Sequence, residues 1–232
     1  MNKILVFTAT YNEVNNVENL INSINRYNNN LDILIIDDNS PDGTSKLINE
    51  LKKIHSNINL ITRDGKQGLD TAHKFAYEYA LKKGYSKLIT MDADLSHNPG
   101  DINKISDLLD NNPFVIGSRY TSGGKCEMNF LRWVLSYFGN KFIKIMLNIN
   151  SSEFTTSFRG FELIKLKNFH LQNVNSKGYS FFMETIFLIN KLGYKIVEFP
   201  IIFSERKYGK SKIPKIELFR TLKNVIFLKF SK

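Results

Sequence analysis

The chain of 232 residues reads as an α/β protein built on a mostly parallel, twisted sheet with helices on both faces. Three observations predict this. Short β-rich runs alternate with segments of 3.6-residue apolar period through the first half of the chain. That β-α-β-α order is met by crossover connections, which set strands parallel and helices outside. Polar, oddly composed stretches then follow one strand after another, where such folds place their ligands.

The elements follow in order. Lys3–Thr8 is the first strand candidate, and Val14, Val17, Leu20, Ile21 and Ile24 form a helical stripe behind it. Asp32–Ile36 is the second strand; a helix starting at Thr44 then presents Leu47, Ile48, Leu51 and Ile54. Ile58–Thr62 and Lys87–Met91 are the third and fourth strands. Pro99 suits a helix N-terminus leading into Ile102, Ile105, Leu108 and Leu109, and Phe114–Gly117 closes the series. After about residue 125 the character changes. Phe130–Leu147 and Pro214–Lys232 are rich in apolar and aromatic residues, with Arg132, Lys141 and Lys144 set into the first. Each reads as a helix with a wide apolar face and basic flanks, suited either to lying in a membrane interface or to ordinary packing. The division expected is one domain over 1–213, including an amphipathic helix at about 128–148, and a C-terminal amphipathic helix over 214–232.

Composition narrows the classes. At 42% hydrophobic and 23% charged residues, the chain can bury a core and is not a disordered polyelectrolyte. The single cysteine, Cys126, leaves no internal disulfide and no cysteine zinc site. His55, His73, His97 and His170 show no metal-ligand spacing. A net charge of +10 suits anionic partners. A nucleic-acid-binding module would explain that charge, but it calls for basic residues interleaved with exposed aromatics, and here acids stand at the strand ends. Neither a signal-peptide core nor an apolar run long enough to span a bilayer is evident. No P-loop, G-x-S-x-G, H-E-x-x-H or G-x-G-x-x-G pattern occurs, against a P-loop NTPase, serine hydrolase, zincin or dinucleotide oxidoreductase.

The candidate site is assembled from four loops: "TATYNE" (8–13), "DDNSPDGT" (37–44), "MDADLSH" (91–97) and "GSRYTSGG" (117–124). All lie at strand carboxyl ends and should line one crevice. If the chain is still extended there, Asp92 and Asp94 leave the same face, and two like charges so placed call for a cation. Their hard oxygen atoms suit Mg²⁺ or Mn²⁺ bridging nucleotide phosphates. Of Asp37 and Asp38, one can accept from a base or ribose, while Ser40–Thr44 is turn and cap chemistry. Tyr11 can stack on a base; Glu13 either contacts it or serves as a helix N-terminal acid. Arg119, Arg132, Arg206, Lys210 and Lys212 are basic residues in or near predicted loops, able to grip phosphate.

Together with "GKQGLDTA" (65–72), "TTSFRGF" (155–161), "GYSFFMET" (178–185) and "FPIIFSERKYGKSK" (199–212), these blocks resemble the polyprenyl-phosphate (dolichol-phosphate) mannosyltransferases, inverting glycosyltransferases of GT-A fold. The likeness runs in order over nearly the whole chain. It implies that Tyr11, Glu13 and Asp38 hold the nucleotide base with Lys66 beside them, and that Asp92 and Asp94 carry the metal and diphosphate. Arg119 and Arg132 match positions that grip the lipid phosphate, and Arg206 and Lys212 match a basic loop closing over the site. The sequence departs from the pattern at Ala9 for proline, at Asp70 and Ala76 for glycines, at Ser157 for the glycine of "TSGFR", at Phe182 for glutamine and at Glu205 for aspartate. Ser96, where some relatives carry glutamine, is the candidate third metal ligand.

The activity implied is transfer of mannose from GDP-mannose to a polyprenyl monophosphate, with inversion, at the cytoplasmic face of a membrane. Attachment would come from the amphipathic helices or from a separate membrane-anchoring protein, with no role for nucleic acid. The alternative is a UDP-sugar donor such as UDP-glucose, or a saccharide acceptor. A lipid monophosphate is already ionised near neutral pH, so alignment matters more than a general base.

Overall fold

Five apolar runs, each too short for a helix and rich in β-branched residues, become the backbone of one sheet. The structure is a computed structural model, and it describes residues 3–28, 30–205 and 216–231. In chain order the first half comprises β1 (Ile4–Thr10), α1 (Val14–Tyr27), β2 (Leu31–Asp37), α2 (Thr44–Leu51), β3 (Ile58–Thr62), α3 (Leu69–Lys82), β4 (Lys87–Thr90), α4 (Asp101–Leu109) and β5 (Phe114–Ser118). The second half adds β6 (Lys125–Cys126), α5 (Phe130–Leu147), β7 (Arg159–Glu162), α6 (Tyr179–Lys191), β8 (Ile196–Pro200), β9 (Ile202–Phe203) and α7 (Ile216–Phe230).

Seven strands form the main sheet in the order β3-β2-β1-β4-β7-β5-β8, and β6 pairs with β9 separately. Every neighbour pair in the large sheet is parallel except those of β7, which runs antiparallel to both β4 and β5. The carboxyl ends of β1, β2, β4 and β5 therefore share one edge, and the segment entering β7 arrives at that same edge. Between β1 and β4 the chain order reverses, the position at which open α/β sheets form a crevice.

Strand alternation sorts the core into two layers. Leu5 and Phe7 face Ala72, Ala76 and Tyr77 of α3 together with Phe181, Met183 and Ile186 of α6. Ile4 and Val6 face the other way, onto Val17, Leu20 and Ile21 of α1 and Ile102 and Ile105 of α4. The mostly parallel sheet with helices on both faces thus agrees with the expectation. One helix is shorter than expected: Ile54 lies beyond α2, which stops at Leu51, and its side chain is exposed. The α3, β7, α6 and β8 segments carry no assignment from the apolar periodicity.

Gly160 in β7 shows how tightly the α4 layer sits on the sheet. A Cβ there would lie 2.8 Å from Leu109 Cδ1, in a fully buried layer. On the other layer α7 packs on α5 and α6, burying Val225 and Leu228 in the same cluster as Ile143 and Phe181. Among the described residues, no helix is long and apolar enough to cross a membrane.

Candidate active site

The first two loops of the edge are tied together before they meet any ligand. Asp37, fully buried at the end of β2, accepts from Thr10 Oγ1 (2.7 Å), the Ser40 backbone N–H (2.8 Å), Ser40 Oγ (2.6 Å) and Ser45 Oγ (2.7 Å). A carboxylate so surrounded belongs to the turn. Asp42 does the same for the next turn, accepting from the Val14 and Thr44 backbone N–H groups and from Thr44 Oγ1. Of the adjacent acids, Asp38 is therefore the one left for a ligand. Its Oδ1 takes Arg63 Nε at 2.5 Å, and Arg63 also donates to Thr71 Oγ1 and the Gly68 carbonyl. Both charged side chains are mostly buried, so screening by water is weak.

Tyr11 and Lys66, expected on the same side of the donor, do meet: Lys66 Nζ stands over the Tyr11 ring, 3.8 Å from its centroid. Glu13 occupies the cap position of α1, where its carbonyl accepts the Asn16 and Val17 N–H groups and its carboxylate accepts Asn16 Nδ2 at 2.7 Å. The helix-terminal role of Glu13 is thus present in the structure.

The acidic loop departs from the geometry assumed for it. Strand β4 ends at Thr90, and Ala93 and Asp94 form a turn, with Leu95 at φ +62°. The strand pleat consequently does not place Asp92 and Asp94 on one face; the turn does the placing, and it treats them unequally. Asp94 is buried and accepts the Ser96 backbone N–H at 3.0 Å, while the Asp92 side chain is 35% exposed. Beside them Ser96 Oγ is buried and finds no hydrogen-bond partner among the described residues. An orphaned hydroxyl next to two carboxylates is an all-oxygen donor set, which fits a hard divalent cation. Among the described residues no group of three or more His, Cys, Asp or Glu is arranged to hold a metal, so the fit depends on that hydroxyl.

His97 completes the loop. Its Nδ1 accepts the Asp92 backbone N–H at 3.2 Å, and its ring stacks on Phe158 with centroids 4.9 Å apart. Burial lowers its pKa, and the nearby Asp92 and Asp94 only partly offset this, so the imidazole stays neutral.

The two arginines expected at the acceptor phosphate, Arg119 and Arg132, are not brought to equivalent places. Arg119 is buried and forks onto Glu153, with Nε to Oε2 at 2.6 Å and Nη2 to Oε1 at 2.8 Å, and Nη2 also reaches Thr155 Oγ1 at 2.9 Å. Burial alone would lower its pKa, but the Glu153 charge outweighs that and holds it above the usual value. Arg132 is exposed on the first turn of α5, its backbone N–H capped by Asn129 Oδ1. Arg206, Lys210 and Lys212 lie outside the described residues. The Ser204 N–H, just past β9, donates to the Ser96 carbonyl at 3.0 Å.

Four residues escaped the sequence reading: Arg63, His97, Glu153 and Ser157 as participants. Arg63 stands one residue past β3, where the rule that selected the other loops would also have found it. Glu153 offered only a weak signal, a lone acid between serines and aromatics.

A family model decides what kind of protein has this edge. Residues 5–169 match the model described as Glycosyl transferase family 2. The chain belongs to that family. Among curated relatives, the polyprenol monophosphomannose synthase of Mycolicibacterium smegmatis is 34% identical over 90% of this chain and 80% of its own length. The undecaprenyl-phosphate mannosyltransferase of Micrococcus luteus is 32% identical over 91% of this chain and 87% of its own. Solved structures agree on the fold. A mannosyltransferase from Pyrobaculum calidifontis in complex with GDP-Man and Mn²⁺ superposes with a TM-score of 0.58 at 16% identity, over 99% of this chain and 70% of that one. Glucosyl-3-phosphoglycerate synthase from Mycobacterium tuberculosis, with Mn²⁺ and UDP, gives 0.64 at 17% identity over 99% and 79%. The family 2 chain thus has the GT-A architecture its order of blocks implied.

Proposed function

We propose that this family 2 glycosyltransferase moves mannose from GDP-mannose to a polyprenyl monophosphate, with inversion at the anomeric carbon. The observation that carries the reading is the meeting, at one sheet edge, of a base-sized cluster (Tyr11, Lys66, Asp38–Arg63) and an all-oxygen acidic loop (Asp92, Asp94, Ser96). Its occurrence in a chain 34% identical to a polyprenol monophosphomannose synthase supports the choice of donor and acceptor.

Each residue then has a defined task. The Tyr11 face stacks on guanine, and Asp38 accepts from base or ribose through the oxygen that Arg63 does not hold. Asp92, Asp94 and Ser96 hold Mg²⁺ or Mn²⁺, which when bound supplies positive charge to the departing diphosphate. Arg132 attracts the acceptor phosphate, and Arg206 and Lys212 contribute positive charge toward the nucleotide sugar. Arg119, already forked onto Glu153, forms a net-neutral pair that holds the acceptor side of the edge in shape. Because the phosphate nucleophile is ionised near neutral pH, no histidine base is needed, and the neutral, buried His97 is available to position the loop.

Helices α5 and α7 support a location on a lipid surface. Leu131, Leu135 and Phe138 of α5 and Phe219, Phe227 and Phe230 of α7 are exposed, next to Lys141, Lys144 and Lys229. Apolar side chains beside lysines suit the headgroup boundary of an anionic leaflet, with the cytoplasmic face as the natural source of nucleotide sugar. A membrane-anchoring protein is the other means of attachment.

A donor panel tests the reading: GDP-mannose, GDP-glucose and UDP-glucose, each with a polyprenyl phosphate, with Mg²⁺, with Mn²⁺ and with EDTA. The expected result is a β-linked mannosyl lipid phosphate formed from GDP-mannose only when a divalent cation is present. Faster transfer from UDP-glucose would overturn the donor assignment, and undiminished transfer in EDTA would overturn the metal.

A further inference from the structure

Asp92 is held from two directions by two consecutive residues that precede β7. Ser157 Oγ donates to Asp92 Oδ1 at 2.6 Å. Its neighbour Phe158 stacks on His97, whose Nδ1 accepts the Asp92 backbone N–H. The Ser157 carbonyl in turn accepts a short hydrogen bond from Thr90 Oγ1, at the end of β4. Ser157 itself is buried, and the stretch around it has little slack. Arg159 is also buried and donates to the carbonyls of Phe154, Thr156 and Phe182 at 2.7 to 3.0 Å.

Resting on the reading of Asp92 and Asp94 as cation ligands, we propose that Ser157 is a positioning residue for that pair. Its hydroxyl fixes the half-exposed Asp92 carboxylate by Oδ1, leaving the other oxygen to the ligand. Without the hydroxyl, a carboxylate at a turn in contact with solvent populates several rotamers, and binding must then order it at an entropic cost. The constraint is mutual: if Asp92 swung away, the Ser157 hydroxyl would be left buried and unpaired, which disfavours the swing. Groups that hydrogen-bond a metal ligand from outside typically set affinity by about 10- to 100-fold.

The test reads binding rather than turnover. Mn²⁺ affinity is measured by electron paramagnetic resonance on the full chain, with the metal alone and with added GDP, for wild type, Ser157→Ala, Asp94→Ala, Asp92→Asn and the Ser157→Ala/Asp92→Asn double variant. Thermal unfolding of each variant verifies that it is folded. Ser157→Ala is expected to weaken Mn²⁺ by about 10-fold in the wild-type background and by less than about 2-fold once Asp92 is Asn. Equal weakening in both backgrounds would reduce Ser157 to a packing residue and overturn the proposal, as would an unchanged affinity in Ser157→Ala. Unchanged Mn²⁺ binding by Asp94→Ala would instead overturn the metal reading itself, so the two failures are distinguishable.

Discussion

Arg119 and Glu153 meet inside the protein as a two-pronged ion pair, with the Arg119 side chain 8% exposed and that of Glu153 wholly buried. The pair links the end of β5 to the segment that leads into β7, across 34 residues of sequence. Removing one charge strands the other: Glu153→Leu should lower stability by about 3–5 kcal/mol in urea denaturation. The Arg119→Met/Glu153→Leu double variant should recover at least half of that. Burial pushes the Glu153 carboxyl up, but Arg119 and the Thr155 contacts outweigh it and the net shift is downward. Its contribution is therefore complete above the ordinary carboxylate value and is lost as pH falls through the folded value.

Arg63 and Asp38 form a second ion pair at the same edge, at the proposed donor site. Arg63→Ala leaves Asp38 mostly buried without its partner and releases Thr71 and the Gly68 carbonyl. The expected outcome is a KM for the nucleotide sugar raised by about 10-fold with kcat changed much less, as for loss of uniform binding. Steady-state kinetics at varied donor and saturating acceptor give the answer. A fall in kcat at constant KM would place Arg63 with the chemistry instead.

His73 sits in the core among Phe7, Phe181 and Phe182, with ring centroids at 5.0 to 5.7 Å. Burial, helped by the charge of Arg159, lowers its pKa from 6.5 to about 3. The folded chain keeps it neutral while the unfolded chain protonates it, so stability is complete above 6.5 and declines as pH falls toward 3. Between pH 7 and pH 5 this one group should cost about 2 kcal/mol. Denaturation curves of His73→Leu should lack that part of the acid slope, whatever happens to the plateau.

The lipid-surface proposal is better tested by point changes than by truncation. Removing α7 would take away the buried Val225 and Leu228 and uncover the cluster of Ile143 and Phe181 in which they pack, and so confound binding with unfolding. Phe227→Glu and Phe230→Glu alter only exposed side chains. In flotation with vesicles containing anionic lipid, the double variant should bind at least about 10-fold less, with an unchanged unfolding midpoint. Flotation equal to wild type would remove α7 from the docking surface.

Much of the architecture was legible because a parallel strand buried on both faces leaves an unbroken apolar run. All five strands expected from such runs occur, each within two residues of its expected ends. The start of α2 at Thr44 was equally plain from the turn chemistry before it. Strand β7 was not, because Arg159-Gly-Phe-Glu has two charges and a glycine in four residues and reads as a loop. Only the three carbonyls that receive the Arg159 guanidinium make a buried strand of it. Helix α3 hides for a different reason: its buried face is Asp70, Ala72, His73, Ala76, Tyr77 and Ala80, small or polar side chains that leave no apolar stripe to read.

At the site, the sequence by itself determined which loops gather, since polar residues at the carboxyl ends of parallel strands share one edge whatever the side chains do. It could not determine partners. Asp38 meets Arg63 across 25 residues, and Asp92 meets Ser157 across 65, because β2 lies beside β3 and β4 beside β7. Strand order is a property of the packed sheet, absent from any local window. The tertiary structure alone decided that Asp37 is tied into its turn while Asp38 pairs with Arg63, that Arg119 is held and Arg132 exposed, and that Asp92 accepts from Ser157 across the sheet edge.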